Sequence, residues 1–290
     1  MVRVAIVAPA RRLDEASAHA VTAIAQSFGD GLELIIHPQC FESFGHFAGT
    51  DEVRLEAFVA VANDPSIDAV WFARGGYGSG RLLEGLDGRL DACAREKVYL
   101  GYSDLGFLLS ALTGLGCHYC AHGPMPGDVV REGGEVAITR ALSFLTRQPL
   151  AGAGSVFPEG LDADCEHMAL NLTILRSLLG TPYLPARVTD KAKRVLWLED
   201  VGEYVYATDR SMCQLVQSDW FKALAGVRIG RFSAIPENEV PFHQTSAESV
   251  ADWCAKAHVP VLGDGDIGHD AHNKIVPFGS LKNWRAAGLL

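Results

Sequence analysis

Over the first 105 residues the apolar positions fall into blocks that switch between two periods. Val2–Val7 is a short run rich in β-branched residues and predicts a first strand. In Asp14–Phe28 the apolar residues Ala18, Val21, Ile24, Ala25 and Phe28 recur at the spacing of one helix face. Leu32–Ile36 predicts a second strand, Asp51–Ala62 a helix, and Asp68–Phe72 and Val98–Leu100 two more strands. A buried helix is expected to begin at Leu105. Strands separated by helices imply a mostly parallel sheet covered on both faces, with ligands taken at the carboxyl ends of the strands.

Between about Leu142 and Cys165 the periodicity fades and Pro149, Gly152, Gly154, Pro158 and Gly160 dominate. That change predicts a linker over 146–164, between a first unit of residues 1–145 and a second of 165–290. The second unit reads as a helix at Leu170–Leu179, a strand at Arg194–Leu198, a helix at Asp209–Gln217 and a strand at Gly226–Phe232. A helix at Ser246–Ala257 and a strand at Val259–Leu262 follow. The fold class is therefore α/β, with no internal repeat.

Composition narrows the function classes. A chain of 290 residues has room for one large domain or two ordinary ones. With 48% hydrophobic and 21% charged residues, extensive disorder is not expected. A net charge of −10 argues against nucleic acid and against an anionic membrane surface as partners. The longest stretch without Asp, Glu, Lys or Arg, Leu105 to Gly127, is interrupted by Gly, Pro and His and reads as buried helix and loop, not a membrane span. The N-terminus reads as a strand, not a targeting segment. Seven scattered cysteines suggest reduced thiols in a cytosolic protein. Cys117-His118-Tyr119-Cys120 has no second Cys pair to complete a zinc site, so packed core residues and no metal are expected.

Two loops carry candidate chemistry. Gly101-Tyr102-Ser103-Asp104 lies between an apolar strand and a helix. A serine on such a turn presents its hydroxyl at a helix N-terminus, where free N–H groups favour negative charge, although Ser and Asp are also ordinary cap residues. Arg74-Gly75-Gly76-Tyr77-Gly78-Ser79-Gly80 fails the dinucleotide fingerprint because Arg81 replaces its third glycine. Its Gly75-Gly76 pair nonetheless offers unshielded N–H donors. A nucleophilic serine needs a base and the base an orienting partner. His269 and His122 are rivals for the base by loop position alone, and Glu199-Asp200, followed by Glu203, puts carboxylates at a strand end.

The segments Val4–Pro9, Phe47–Asp51, Ala73–Gly78, Gly101–Asp104, His122–Met125, Leu175–Tyr183, Leu198–Glu203 and Gly268-His269 occur in the order that characterises one family. Through them the chain resembles, along almost its whole length, the LD-carboxypeptidases, serine peptidases of the S66 type. The resemblance implies a triad of Ser103, Glu199 and His269 and requires no cofactor. It implies an N-terminal Rossmann-like parallel-sheet domain carrying the serine and a smaller α/β C-terminal domain carrying the other two. The active site would lie between them, within a cytoplasmic homodimer. The family's typical reaction releases the terminal D-alanine of murein tetrapeptide, a small peptide substrate, by cutting an L–D bond during peptidoglycan recycling. A related branch cleaves peptidyl- or aminoacyl-nucleotide antibiotics in self-immunity, and a catalytically silent muropeptide-binding module is a third reading. The nucleotide branch often places a tryptophan between its domains, whereas none of Trp71, Trp197, Trp220, Trp253 and Trp284 falls in the linker drawn here.

On this reading the N–H of Asp104 and one from Gly75 or Gly76 form the oxyanion hole. Arg74 is the candidate donor to the substrate carboxylate. Two positions depart from the family pattern. Gly106 stands where Thr or Ser is frequent, and Ala169-Leu170 where a glycine pair is frequent.

Overall fold

The computed structural model describes residues 1–186 and 193–290. Five parallel strands, β1 (Val2–Val7), β2 (Leu32–Ile36), β3 (Ala69–Phe72), β4 (Val98–Gly101) and β5 (Tyr119–His122), form most of the first sheet, in the order β2-β1-β3-β4-β5. Helices α1 (Glu15–Gln26), α2 (Asp51–Asn63), the short α3 (Ala92–Arg95), α4 (Gly106–Gly114) and α5 (Gly134–Thr146) connect and cover these strands. Alternation along β1 divides the core between two faces. Val4 and Ile6 share a cluster with Val21 of α1 and Ile138 of α5, while Ala5 and Val7 belong with Phe58 of α2 and Leu108 of α4. Asp14 and Thr50 fix the starts of α1 and α2 by accepting the N–H groups of Ser17 at 2.8 Å and Val53 at 3.3 Å.

The second sheet consists of parallel strands β6 (Cys165–Asn171), β7 (Lys193–Val201), β8 (Gly226–Ser233) and β9 (Val261–Asp264). The chain then returns to the first sheet as β10 (Val276–Pro277), antiparallel to β5, and at once to the second as β11 (Gly279–Ser280), antiparallel to β6. Helices α6 (Leu172–Leu178), α7 (Val205–Leu215), α8 (Asp219–Lys222), α9 (Ser246–Lys256) and α10 (Leu281–Ala286) complete this half. The predicted α/β class is thus realised as two mostly parallel sheets. One core spans both, running from Phe72 and Tyr99 through α4 to Leu170 and Leu198. Among the described residues no helix is long and apolar enough to cross a membrane.

Several boundaries differ from the sequence reading. The predicted helix at Leu170 is preceded by a whole strand, β6, whose buried Met168-Ala169-Leu170 runs straight into α6 with only the Asn171 cap between them. Asn171 accepts the Ile174 N–H at 3.2 Å, and that bond ends the strand and starts the helix. Helix α5 continues to Thr146, past the Leu142 at which periodicity was expected to fade, and 147–164 contains neither helix nor strand. Helix α7 begins at Val205 and β9 at Val261, because Val259 is spent in the core at the turn after α9.

The two departures from the family pattern meet each other. A Cβ at position 106 would stand 2.9 Å from Leu170 Cδ2 and 3.2 Å from Ile174 Cγ2. Leu170 thus occupies the space that a larger residue at 106 needs, at the point where α4 packs on the second sheet.

Candidate active site

The loops after β1, β3, β4 and β5 open on one edge of the first sheet, around a cleft of about 410 Å³. Arg11, Arg74, Gly75, Gly76, Ser103 and His269 are among its lining residues. The strand order reverses at β1 and β3, the crevice where sheets of this kind take their ligands.

Ser103 sits on a tight turn with φ +59°, a left-handed backbone that lifts its side chain off the end of β4. A short 3₁₀ turn over Ser103–Leu105 leads into α4. Gly75 fits against the serine: a Cβ there would stand 3.1 Å from Ser103 Cβ and 3.2 Å from its Oγ. No hydrogen bond among the described residues uses the N–H of Gly75, Gly76 or Asp104. The buried Asp104 carboxylate performs a task the sequence did not disclose. It accepts the N–H groups of Gly78 at 3.2 Å and Ser79 at 2.8 Å, and Ser79 Oγ donates to the Asp104 carbonyl at 2.6 Å. These bonds clip the serine turn to the glycine-rich loop. Burial pushes the Asp104 pKa up, while the same N–H groups pull it down.

Glu199 lies near the end of β7, wholly buried. Between Leu198 and Asp200 the β7–β8 register shifts, and β8 gains one residue opposite Glu199. Close packing of Gly230 accommodates the kink: a Cβ there would stand 2.9 Å from Glu199 Cβ. His269 comes from the loop after β9. Its Nδ1 is 2.6 Å from Glu199 Oε2 and its Nε2 is 2.9 Å from Ser103 Oγ. A carboxylate only accepts, so Nδ1 carries the proton and Nε2 is free to accept from the serine hydroxyl. The structure therefore brings Ser103, His269 and Glu199 into one hydrogen-bonded chain across the two sheets. The second carboxylate oxygen, Glu199 Oε1, is buried without a partner among the described residues.

Three arginines hold the histidine loop. Arg131 donates to the His269 carbonyl. The buried Arg140 donates to the carbonyls of Ala271 at 3.0 Å and Asn273 at 2.9 Å. Arg231 pairs with Asp266 and Asp270, each at 2.5 Å. His122, the rival base, lies beneath this loop and outside the cleft. Its Nε2–H donates to Asn273 Oδ1 at 2.9 Å, and the same oxygen accepts the Gly268 N–H at 3.2 Å. Burial holds the His122 pKa down at about 4, opposed by the Glu199 carboxylate and the Asn273 bond. Asp200, beside Glu199, accepts from Thr173 at the start of α6 and is pushed up to about 6 by burial.

Arg74 reaches the cleft with its stem against Gly127 and its guanidinium 3.8 Å from Asp14. Arg11 and Arg131 also line the cleft, and neither stands in a motif or periodic pattern that marks it in the sequence. Cys117 and Cys120 are buried, and no group of His, Cys, Asp or Glu among the described residues is arranged to hold a metal.

Fold and cleft together define a two-domain α/β protein with a serine, a histidine and a glutamate in one hydrogen-bonded chain. Residues 4–123 match the LD-carboxypeptidase N-terminal domain and residues 167–282 the LD-carboxypeptidase C-terminal domain. The murein tetrapeptide carboxypeptidase of Pseudomonas aeruginosa is 33% identical over 96% of this chain and 91% of its own length. The chain belongs to the LD-carboxypeptidase family, and it is a carboxypeptidase. The fold is shared with the crystal structure of muramoyltetrapeptide carboxypeptidase from Oxalobacter formigenes, at TM-score 0.75 and 24% identity over 95% of this chain and 93% of that one. It is shared equally with the microcin C7 self-immunity protein MccF in complex with aspartyl sulfamoyl adenosine, at TM-score 0.75 but 15% identity, over 97% and 94% of the two chains.

Proposed function

We propose that this carboxypeptidase removes the terminal D-alanine of murein tetrapeptide by serine catalysis, as part of peptidoglycan recycling. The observation that carries the reading is the Ser103–His269–Glu199 chain on the floor of an arginine-lined cleft. Ser103 Oγ attacks the carbonyl of the penultimate residue while His269 Nε2 takes its proton. Glu199 holds the tautomer and stabilises the imidazolium that forms. The N–H of Asp104, with that of Gly75 or Gly76, receives the tetrahedral oxyanion. His269 then protonates the departing amine, and water releases the acyl group by the same route in reverse. Arg74 takes the carboxylate of the leaving residue.

The name of the Pseudomonas relative supports the murein substrate. Trp197 adds to it. Wholly buried, with its indole N–H donated to His167 at 3.1 Å, this tryptophan has no face to offer a nucleotide base.

The test is mass spectrometry of murein tetrapeptide incubated with the protein and with Ser103→Ala. Loss of one D-alanine is expected from the unaltered chain, with kcat lowered about 10⁴- to 10⁶-fold in the variant. Near-normal turnover by Ser103→Ala removes the serine from the mechanism. Cleavage of an aminoacyl sulfamoyl adenosine in place of the tetrapeptide transfers the reading to the nucleotide branch. Because no step uses a metal, EDTA is expected to leave turnover unchanged.

A further inference from the structure

The chain is strongly acidic overall, yet its cleft is lined by three arginines and one carboxylate, Asp128. Their surroundings differ. Asp128 is buried, accepts the Tyr102 hydroxyl at 2.9 Å and the Met125 N–H at 2.8 Å, and forms an ion pair with Arg131 Nε at 3.2 Å. Arg131 is therefore balanced by Asp128, and it also donates to the His269 carbonyl. Its charge belongs to the scaffold. Arg74 has only a long contact to Asp14, at 3.8 Å. Arg11 has no hydrogen-bond or ion-pair partner among the described residues, although its stem is seated. It lies across Gly76, where φ is +115° and an added Cβ would stand 2.3 Å from Arg11 Cδ and 2.9 Å from its Cγ. A side chain with a rested stem and an unpaired head, in a cleft with a local excess of cations, is suited to an incoming anion.

One carboxylate does not account for two available guanidinium groups. Arg74, with its stem against Gly127, is the residue assigned above to the leaving carboxylate, and Arg11 lies over Gly76, beside the Gly75 that packs on Ser103. A released D-alanine has a single carboxylate, so any second one must belong to the acyl half of the substrate. We propose that the cleft selects peptides with a free carboxylate in the acyl half, and that Arg11 is the residue that binds it. This deepens the proposed function and rests on it, since Arg74 is there assigned to the leaving residue. The geometry of guanidinium and carboxylate favours a paired N–H···O contact, which a carboxamide cannot reproduce because it loses the charge and one acceptor.

The experiment compares two tetrapeptides of the diaminopimelate type, both with a free C-terminal carboxylate. One has its acyl-half carboxylates free and the other has them as carboxamides. The free-acid peptide is expected to be cleaved with kcat/KM about 10- to 100-fold higher, the range of a charge-assisted contact. In Arg11→Gln the free-acid rate falls and the ratio between the peptides collapses toward one. Arg11→Lys restores part of the ratio, because it keeps the charge and loses the fork. Equal cleavage of both peptides by the unaltered protein, still dependent on Ser103, overturns the inference and leaves the proposed reaction standing. A uniform fall for both peptides in Arg11→Gln also overturns it, because that is the signature of a structural role. Failure to cleave either peptide overturns the proposed reaction and this inference with it.

Discussion

Ser103 spends backbone energy to stand where it does. At φ +59° an L-residue is strained by about 1 kcal/mol or more, and glycine is not. Ser103→Gly and Ser103→Ala are both expected to be inactive, but the glycine variant should be the more stable by about 1 kcal/mol in urea unfolding. Equal stability of the two shows that no strain is stored at the turn. Glu199 invites a second comparison, since in the proposed mechanism it orients and does not react. Glu199→Gln keeps the shape, but its amide can donate toward His269 and favour the wrong tautomer. A fall in kcat of about 10³- to 10⁴-fold is expected, smaller than for Ser103→Ala. Full activity of Glu199→Gln transfers the orienting role to Asp200 or Glu203. Ser103 could be read from the sequence because the turn chemistry around it is local. The choice between His269 and His122 could not be made from loop position and came only through the family resemblance, since the Ser103–His269 contact joins residues 166 apart. Nor could the Asp104 clip or the seat of Arg11, which depend on where separate loops meet.

At the scale of elements, the strands with strong β-branched runs were readable, and those that merge with neighbours were not. β1 and β2 stand at the predicted residues because proline or glycine breaks the run beside each, Pro9 after β1 and Gly31 and Pro38 around β2. β6 was hidden because a buried strand and the first turn of a buried helix are equally apolar, and only Asn171 separates them. β10 is two residues long, and nothing local to Val276-Pro277 announces an antiparallel pairing with β5. The contact between α4 and the second sheet can be tested directly. Position 106 has helical geometry, so replacing glycine there by alanine should by propensity stabilise α4 by about 1 kcal/mol. The Leu170 side chain at 2.9 Å reverses that sign. Gly106→Ala is expected to destabilise by about 1–3 kcal/mol through overpacking. Combined with Leu170→Ala it should cost less than the sum of the two single changes. Additive effects in chemical denaturation mean that the two positions do not compete for space.

Across the whole molecule, two buried groups on different sheets oppose each other in acid. His122 on β5 titrates at about 4 when folded, because burial disfavours its charge more than Glu199 and Asn273 favour it, while His269 and Arg231 add to the lowering. Unfolded, it titrates near 6.5. The unfolded chain therefore binds the extra proton between these values, and stability is lost as pH falls through that window, on the order of 3 kcal/mol in all. Asp200 on β7 behaves oppositely. Burial, with Glu199 and Glu203 nearby, raises it from 3.8 to about 6. Here the folded chain binds the proton first, so stability rises as pH falls over nearly the same range. The two contributions cancel between about pH 4 and 6. Asp200→Asn should uncover the histidine, so that the variant loses about 1.4 kcal/mol more than the unaltered protein for each pH unit of acidification. His122→Gln should uncover the aspartate and tilt the profile the other way, as urea unfolding at pH 6 and pH 4.5 would reveal. Parallel profiles for all three proteins sink the idea. Glu199 raises both groups, so in Glu199→Gln, with the unfolded values fixed, the histidine loss should grow, the aspartate gain should shrink, and the variant should resist acid less well than the unaltered protein. The carboxylate hydrogen-bonded to His269 thereby also keeps the two opposing contributions in balance.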